Sequence, residues 1–298
     1  MEMKDILVIG GSNIDYSAAS FSPLIRQDSN IGHLNISFGG VARNVTENLA
    51  YLNDKVTFIT AIGNDAGGQR LRRDLRALKV KVLAYEDPNC PTASYLAIND
   101  NKGEMDIAVC DSRIQDTRAS KDYAIYNETI RKHHDIVLDA NLSEPVIDWL
   151  FDSFFSHNFL VEGVSTEKIV RYRKHLSNIY LLKMNYLEAK CLMNEEKDIH
   201  DIAADIINAG VKNVVISNGS KPIVCGNSKR IVEIPIVPVT SIVNDSGAGD
   251  ALFAGIVHQL NRDKNLETAT RFGGMLAKVT LQVQGSVNPD VHSLLKFE

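Results

Sequence analysis

The sequence predicts an α/β fold: a largely parallel sheet with helices between its strands, carrying a small β-sheet insert. Three observations predict it. Short apolar runs such as Ile6-Leu7-Val8-Ile9 and Ile136-Val137-Leu138, each ended by Gly, Asp or Asn, read as strands buried on both faces. From Asp116 onward such strands alternate regularly with amphipathic, helix-spaced stretches. Two pieces, 12–38 and 91–112, are strand-like with no helix between their strands, the pattern of an insert rather than of βαβ units.

In chain order, Asp5–Gly11 reads as a central strand, and Ser12-Asn13-Ile14-Asp15 follows at its C-terminal end. Ligands collect at such ends in open parallel sheets, so Asn13 and Asp15 are candidates, although Asn and Asp also simply form turns. His33–Phe38 alternates polar and apolar residues, as a half-exposed strand does. Gly39-Gly40 then introduces a helix with Val41, Val45, Leu49 and Leu52 on one face and Asn44 one turn in. Lys55–Ala61 is the next strand, and Asp65 can cap a helix from about Ala66 to Leu78. Thr92–Ile98 and Glu104–Val109 form a hairpin through the glycine-bearing loop 99–103.

Residues 118–132 are expected as a helix, and strand Ile136–Leu138 ends at Asp139-Ala140-Asn141, which puts Asn141 at another strand terminus. Helix 144–154, strand 158–161, helix 166–176 and strand 179–182 follow. Asn185 can cap the next helix, with Glu188 three positions on completing a capping box. Helix 198–209, strand Asn213–Ser217, the turn Ser217-Asn218-Gly219-Ser220 and strands Val224–Cys225 and Ile231–Ile236 come next. Helix 247–260 is apolar nearly all round and must be buried, and helix 266–283 ends the pattern.

The start of that buried helix carries the chemistry: Val243-Asn244-Asp245-Ser246-Gly247-Ala248-Gly249-Asp250. Glycines let backbone approach a ligand. A helix start presents free N–H groups and a partial positive charge to an anion such as phosphate. A carboxylate there, Asp250, is placed to take a proton from an alcohol. An ordinary helix start capped by Ser246 or Asp245 would use the same residues.

Bulk properties narrow the function. With 298 residues the chain can bury about three quarters of its unfolded surface, as one large domain with an insert or as two. A net charge of −5 and a pI near 5.9 give no basic footprint for a nucleic acid polymer. No apolar run is long enough to span a bilayer, and strand-like Ile6–Ile9 follows the start without a signal-peptide pattern. Cys90, Cys110, Cys191 and Cys225 form no CxxC pair and read as buried, core-filling free thiols of a reducing cytoplasm, so a cytoplasmic protein is expected. The histidines show no metal-binding spacing, and the absence of GxxxxGK[ST] excludes a P-loop kinase.

Asn244-Asp245-Ser246-Gly247-Ala248-Gly249-Asp250-Ala251 resembles the C-terminal signature of the ribokinase-type (PfkB) carbohydrate kinases. The resemblance continues through Gly39-Gly40-Val41-Ala42-Arg43-Asn44, Gly63-Asn64-Asp65-Ala66-Gly67-Gly68 and Asn185-Tyr186-Leu187-Glu188. These motifs stand in the family's order over almost the whole chain. The resemblance implies a ribokinase-like three-layer α/β core, formed by 1–11, 39–90 and 113–298, and a β-sheet lid formed by 12–38 and 91–112. It further implies phosphoryl transfer from ATP, with Asp250 as base and the N–H groups of Gly247, Ala248 and Gly249 facing the moving phosphoryl. Asn13, Asp15, Gly39, Gly40, Asn44 and Asn141 would meet the sugar; Asn185, Ser217 and Gly219 the nucleotide; Glu188 would hold Mg²⁺ through water. The family often uses a monovalent cation, but its usual aspartate is Asn244 here, so weak potassium dependence is expected. Lys190 and Pro222 also depart from the pattern and leave the metal arrangement and one phosphate contact open. Pairing of two lids into a homodimer is implied as well. The run Asp28–Gly32 ahead of Gly39-Gly40 is similar to bacterial pseudouridine kinases, which implies that its polar side chains lie where a base attached to the ribose could be read and that the acceptor is the 5′-hydroxyl of a ribose-containing nucleoside. Ribose, another nucleoside or sugar, or a non-catalytic sugar-binding role on the same fold are the alternatives.

Overall fold

A computed structural model describes residues 4–239 and 241–297. Its main sheet has nine strands: β1 (Ile6–Ile9), β4 (Val56–Gly63), β5 (Lys81–Asp87), β8 (Asp135–Asp139), β9 (Asn158–Glu162), β10 (Ile179–Asn185), β11 (Asn213–Asn218), β12 (Lys221–Asn227) and β13 (Arg230–Ile234). Their spatial order is β13-β12-β11-β10-β9-β8-β1-β4-β5. All pair in parallel except β12 and β13, which close the edge as antiparallel strands.

Side-chain alternation along these strands builds two cores. Leu7, Ile9, Ile136, Leu138, Phe159 and Val161 face one side, against α6 (Glu144–Ser153), α8 (Tyr186–Met193) and α9 (Ile199–Asn208). Ile6, Val8, Val137, Leu160, Leu181 and Val215 face the other, against α1 (Val41–Tyr51), α2 (Ala66–Ala77), α10 (Ala248–Leu260) and α11 (Leu266–Thr280). The result is the three-layer α/β architecture expected, with α10 buried as its all-round apolar sequence requires.

The remaining strands, β2 (Asn13–Ser20), β3 (Gly32–Gly39), β6 (Ser94–Asn99) and β7 (Met105–Asp111), make a second sheet in the order β3-β2-β6-β7. Register sorts its faces. Ser37, Asp15, Tyr95 and Cys110 lie side by side on one face; Ile36, Tyr16, Leu96 and Val109, then Leu34, Ala18, Ile98 and Ile107, lie on the other. Ile14 ties this second face to the main body at Gly67.

Some boundaries differ from expectation. Residues 118–132 form no single helix but α4 (Ser120–Ala124) and α5 (Asn127–Arg131), preceded by α3 (Arg113–Asp116). The Asp122 carboxylate accepts the Ala119 N–H at 3.0 Å and starts a fresh helix there, and buried Arg118 is held by Asp87. The helix expected over 166–176 is α7 (Thr166–Ile169) followed by a 3-10 stretch, Val170–Asn178. Strand β5, half-buried along the sheet's edge, has no clean period in the sequence and was not expected. Asp65 caps α2 through the Gly68 N–H at 2.8 Å, as its sequence position suggests. Helix α10 has Gly247 as its N-cap and no side-chain cap, so the alternative of ordinary capping by Ser246 or Asp245 is not formed. Of the four cysteines, expected buried, only Cys225 is; Cys110 and Cys191 are exposed.

Candidate functional site

Several charged and polar groups gather at the C-terminal ends of the parallel strands. Asp139 ends β8, Glu162 ends β9, Lys183 and Asn185 lie at the end of β10, and Ser217 stands beside Asn185 on β11. Strand β1, flanked by β4 and β8, leads into Gly10-Gly11 at the same edge.

Asp139 organises the backbone around the end of β1. Its carboxylate accepts the N–H groups of Gly11 (3.1 Å), Ala42 (2.9 Å) and Asn141 (3.0 Å), and the Asn141 side-chain amide at 2.8 Å. It thereby fixes the end of β1, the start of α1 and the Asn141 side chain together. Asn141 in turn accepts the Lys168 ammonium at 2.7 Å. Burial pushes the Asp139 carboxyl up from its ordinary value, against the hydrogen bonds it accepts.

These groups border a cavity of about 250 Å³, lined among others by Asn13, Asp15, Gly40, Asn44, Asn141 and Lys168. That is the small end of ligand pockets and suits a small molecule. Asn13 donates to Asp15 at 2.5 Å, and burial raises the Asp15 carboxyl while Asn13 and Arg43 oppose the shift. Gly39 lies directly against Asp15, since a Cβ there would stand 2.1 Å from Asp15 Oδ2. Gly40, at φ +97°, turns the chain from β3 into α1 and lines the cavity itself. Asp28–Gly32, expected to read a base, does not line the cavity. It forms the exposed tip between β2 and β3, where Asn30 accepts the Ile25 N–H at 2.8 Å and donates to the Ile25 and Asp28 carbonyls.

A larger cavity of about 820 Å³ opens at the opposite edge, by Lys4, Lys81, His133 and Asp263. It lies at the strands' N-terminal ends, where parallel sheets do not build ligand sites, and none of the groups above reaches it.

Asp250 sits in the first turn of α10 and is 8% exposed. Asn44 Nδ2 donates to Asp250 Oδ2 at 2.8 Å, joining the carboxylate to the cavity's wall. Burial and the negative charge of Glu162 push its pKa up to about 7, against the Asn44 bond and the Lys183 ammonium. The helix start is shaped by Gly247, at φ +81°, where a Cβ would lie 1.9 Å from the Ser286 carbonyl oxygen. With no side-chain cap, the first turn of α10 is open to an anion, although the Ala248 N–H also makes a long 3.5 Å bond to the Asp245 carbonyl.

On the neighbouring strands the Asn185–Glu188 capping box forms as expected: Asn185 Oδ1 accepts the Glu188 N–H, and Glu188 accepts the Asn185 N–H, both at 2.9 Å. Glu188 also accepts Asn185 Nδ2 at 2.6 Å, so both its oxygens are engaged. Burial, then Glu162, raises its pKa. No group of three or more His, Cys, Asp or Glu among the described residues could cage a metal. A magnesium ion carried mainly by phosphate oxygens and water would need no such cage, and Glu188 is the carboxylate that would hold it through water. Gly219, at φ +57°, makes the open turn after β11. Asn244 bonds the Gln284 carbonyl at 2.7 Å and accepts the Ser246 N–H at 3.1 Å.

Sequence reading missed Asp139, Glu162, Lys168 and Lys183. Lys183 Nζ bonds Glu162 Oε1 at 2.5 Å, and both residues are buried. Burial lowers the Lys183 pKa, but the pair with Glu162 and the charges of Glu188 and Asp250 leave it raised overall. A usable signal was present: three charges stand inside or at the end of strands otherwise buried on both faces, where unpaired charge is rare.

The sequence model of the pfkB family carbohydrate kinases matches residues 3–293. The chain is 32% identical to a pseudouridine kinase of Escherichia coli (strain K12) over 303 aligned residues, covering 98% of this chain and 95% of that protein. It is 24% identical to a guanosine-inosine kinase of Exiguobacterium acetylicum, across 99% of this chain and 100% of that one. Among solved structures, a ribokinase of Thermotoga maritima superposes with a TM-score of 0.86 at 20% identity, covering 98% of this chain and 99% of the other.

Proposed function

The chain belongs to the pfkB family of carbohydrate kinases, and on that premise we propose that it transfers the terminal phosphoryl group of ATP to the 5′-hydroxyl of a ribose-containing nucleoside, pseudouridine first among them. The observation that carries the reading is the Asn44–Asp250 hydrogen bond of 2.8 Å. It ties a buried carboxylate, at the uncapped start of α10, to Asn44, which lines the cavity together with Asp15 and Asn141.

In this reading Asp15, Asn44 and Asn141 hold the sugar hydroxyls, with Asn13 steadying Asp15 and Gly39-Gly40 giving the backbone its close approach. Asp250 accepts the proton of the acceptor hydroxyl, and a carboxyl titrating at about 7 is well matched to that task at neutral pH. The N–H groups of Gly247, Ala248 and Gly249 face the charge on the phosphoryl in transit; preorganised donors of this kind contribute about 3 kcal/mol each. Asn185, Ser217 and Gly219 border the nucleotide's phosphates. Mg²⁺, held by phosphate oxygens and through water by Glu188, supplies charge neutralisation when bound.

The second sheet, within 12–38 and 91–112, serves as the lid. Its Asp15-bearing face turns to the cavity, and its other face exposes Leu34, Ile36, Leu96, Ile107 and Val109. So much exposed apolar surface on one sheet calls for cover, and a second copy's lid provides it in a homodimer. Among the described residues no helix is long and apolar enough to cross a membrane.

The 32% identity to a pseudouridine kinase favours that nucleoside, and the full-length similarity to a guanosine-inosine kinase keeps purine nucleosides in view. ADP release, coupled to a dehydrogenase and measured with pseudouridine, uridine, guanosine, adenosine, ribose and fructose 6-phosphate, ranks them. The highest kcat/KM is expected for pseudouridine. Preference for free ribose or a sugar phosphate overturns the nucleoside reading, and no turnover with any acceptor leaves a sugar-binding role.

A further inference from the structure

The Glu162–Lys183 pair has no part in the roles above, yet it lies where the reaction would occur. Lys183 is 3% exposed and its Nζ donates to Glu162 Oε1 at 2.5 Å. An ammonium has three N–H donors, and no second acceptor binds this one among the described residues. A Cβ built on Gly249 would meet one heavy atom within 4 Å, Lys183 Nζ at 2.8 Å. The ammonium therefore stands beside the first turn of α10, next to the N–H groups of the uncapped helix start. A plain counter-ion for Glu162 would not need this place, and buried ion pairs of that kind are commonly replaced by apolar residues without loss.

We propose that Lys183 is a catalytic residue: its ammonium, tethered by Glu162, donates a hydrogen bond to a non-bridging oxygen of the phosphoryl group being transferred. This rests on the kinase reading above. Glu162 is then a positioning residue, acting through Lys183. The ammonium and the helix N–H groups approach the phosphoryl from the same corner. Its charge answers that of an oxygen which the backbone donors do not fully satisfy. A side chain at position 249 would crowd the contact between them, its Cβ standing 2.8 Å from Lys183 Nζ.

The test uses the full chain, ATP, and whichever acceptor the wild type turns over with the highest kcat/KM. Lys183→Met alone would strand a buried carboxylate, so it is combined with Glu162→Gln, which leaves no uncompensated charge. The double variant is expected to keep its circular dichroism and its KM for the acceptor, and to lose kcat by about 100-fold. The loss should persist from about pH 6 to about pH 9, across the titration of a base near neutrality. Replacing a γ-phosphoryl oxygen by sulfur, in adenosine 5′-O-(3-thiotriphosphate), should slow the double variant by a smaller factor than the wild type, because the donor that discriminates oxygen from sulfur is gone. Glu162→Gln alone, which keeps the ammonium but frees it, should lower kcat by less. Recovery of wild-type kcat at high pH would mean that Lys183 acts only by holding Asp250 ionised, and overturns the proposal. An unchanged kcat or an unchanged sulfur effect overturns it as well. If the wild type phosphorylates no acceptor, the kinase reading fails and takes this one with it; an active wild type matched by its double variant sinks this one alone.

Discussion

Replacing Asp250 by Asn separates two properties of one carboxyl, its raised pKa and its proposed role as general base. The amide is nearly isosteric and can present its oxygen to Asn44 Nδ2, now 2.8 Å from Asp250 Oδ2, so the packing of α10 is retained. It cannot accept the acceptor's proton, and loss of a positioned general base lowers kcat by about 100- to 10,000-fold. Stability should move the other way. The folded carboxyl, at about 7, binds its proton more tightly than in the unfolded chain, near 3.8. Its contribution to the fold is thus fully present below about pH 4 and is lost as pH rises through about 7. At one pKa unit per 1.36 kcal/mol, the ionised carboxylate costs the wild type on the order of 4 kcal/mol that the amide avoids. For a chain of this length that is roughly 8 °C in melting temperature as an upper bound, since Lys183 and water can relax around the charge. The melting difference between wild type and Asp250→Asn should therefore be smallest near pH 4, correspond to roughly 2 kcal/mol at pH 5 and reach its full size by pH 8.5, the variant being the more stable. A variant that keeps kcat within about tenfold of wild type refutes the base assignment. A melting difference that does not change with pH refutes the buried, reluctantly ionised carboxyl.

Asn44→Ala removes the hydrogen bond that favours ionised Asp250, so the acid limb of the pH–kcat/KM profile should move to higher pH, with a loss of roughly 10-fold or more at neutrality. Gly247→Ala places a Cβ 1.9 Å from the Ser286 carbonyl at φ +81° and should destabilise the chain by about 3 kcal/mol or more in chemical denaturation. Leu34→Glu with Ile107→Glu puts charge on the exposed lid face; sedimentation should show dimers in the wild type and monomers in the variant, and a monomeric wild type would end the lid-pairing reading. Rates in potassium and in tetramethylammonium should be nearly equal, because a neutral amide is a poor cation ligand and Asn244 already spends its polar atoms on Gln284 and Ser246.

The alternation of buried strands with helices, the antiparallel insert, the Asp65 cap and the Asn185–Glu188 box were all legible in the residues alone. Each depends on interactions within a few positions: side-chain period, a cap three residues from its acceptor, a glycine at a turn. The same holds for Asp250 at the head of an apolar helix. What the sequence could not settle depends on which strands become neighbours. Asp139, Glu162 and Lys183 lie on β8, β9 and β10, with tens of residues between them in the chain, and only the parallel order of the main sheet lines up their C-terminal ends. That alignment, with α10 packed beneath it, turns isolated strand-end charges into a single electrostatic cluster and drives the Asp250 carboxyl up to about 7. The break in 118–132 combines a local cap, Asp122 on the Ala119 N–H, which the sequence reading overlooked, with the tertiary Arg118–Asp87 pair. The position of Asp28–Gly32 at the exposed tip between β2 and β3 rather than in the cavity was decided by how the second sheet pairs. Local periodicity carries the fold class because it is a property of neighbours in the chain; the catalytic environment is a property of neighbours in space.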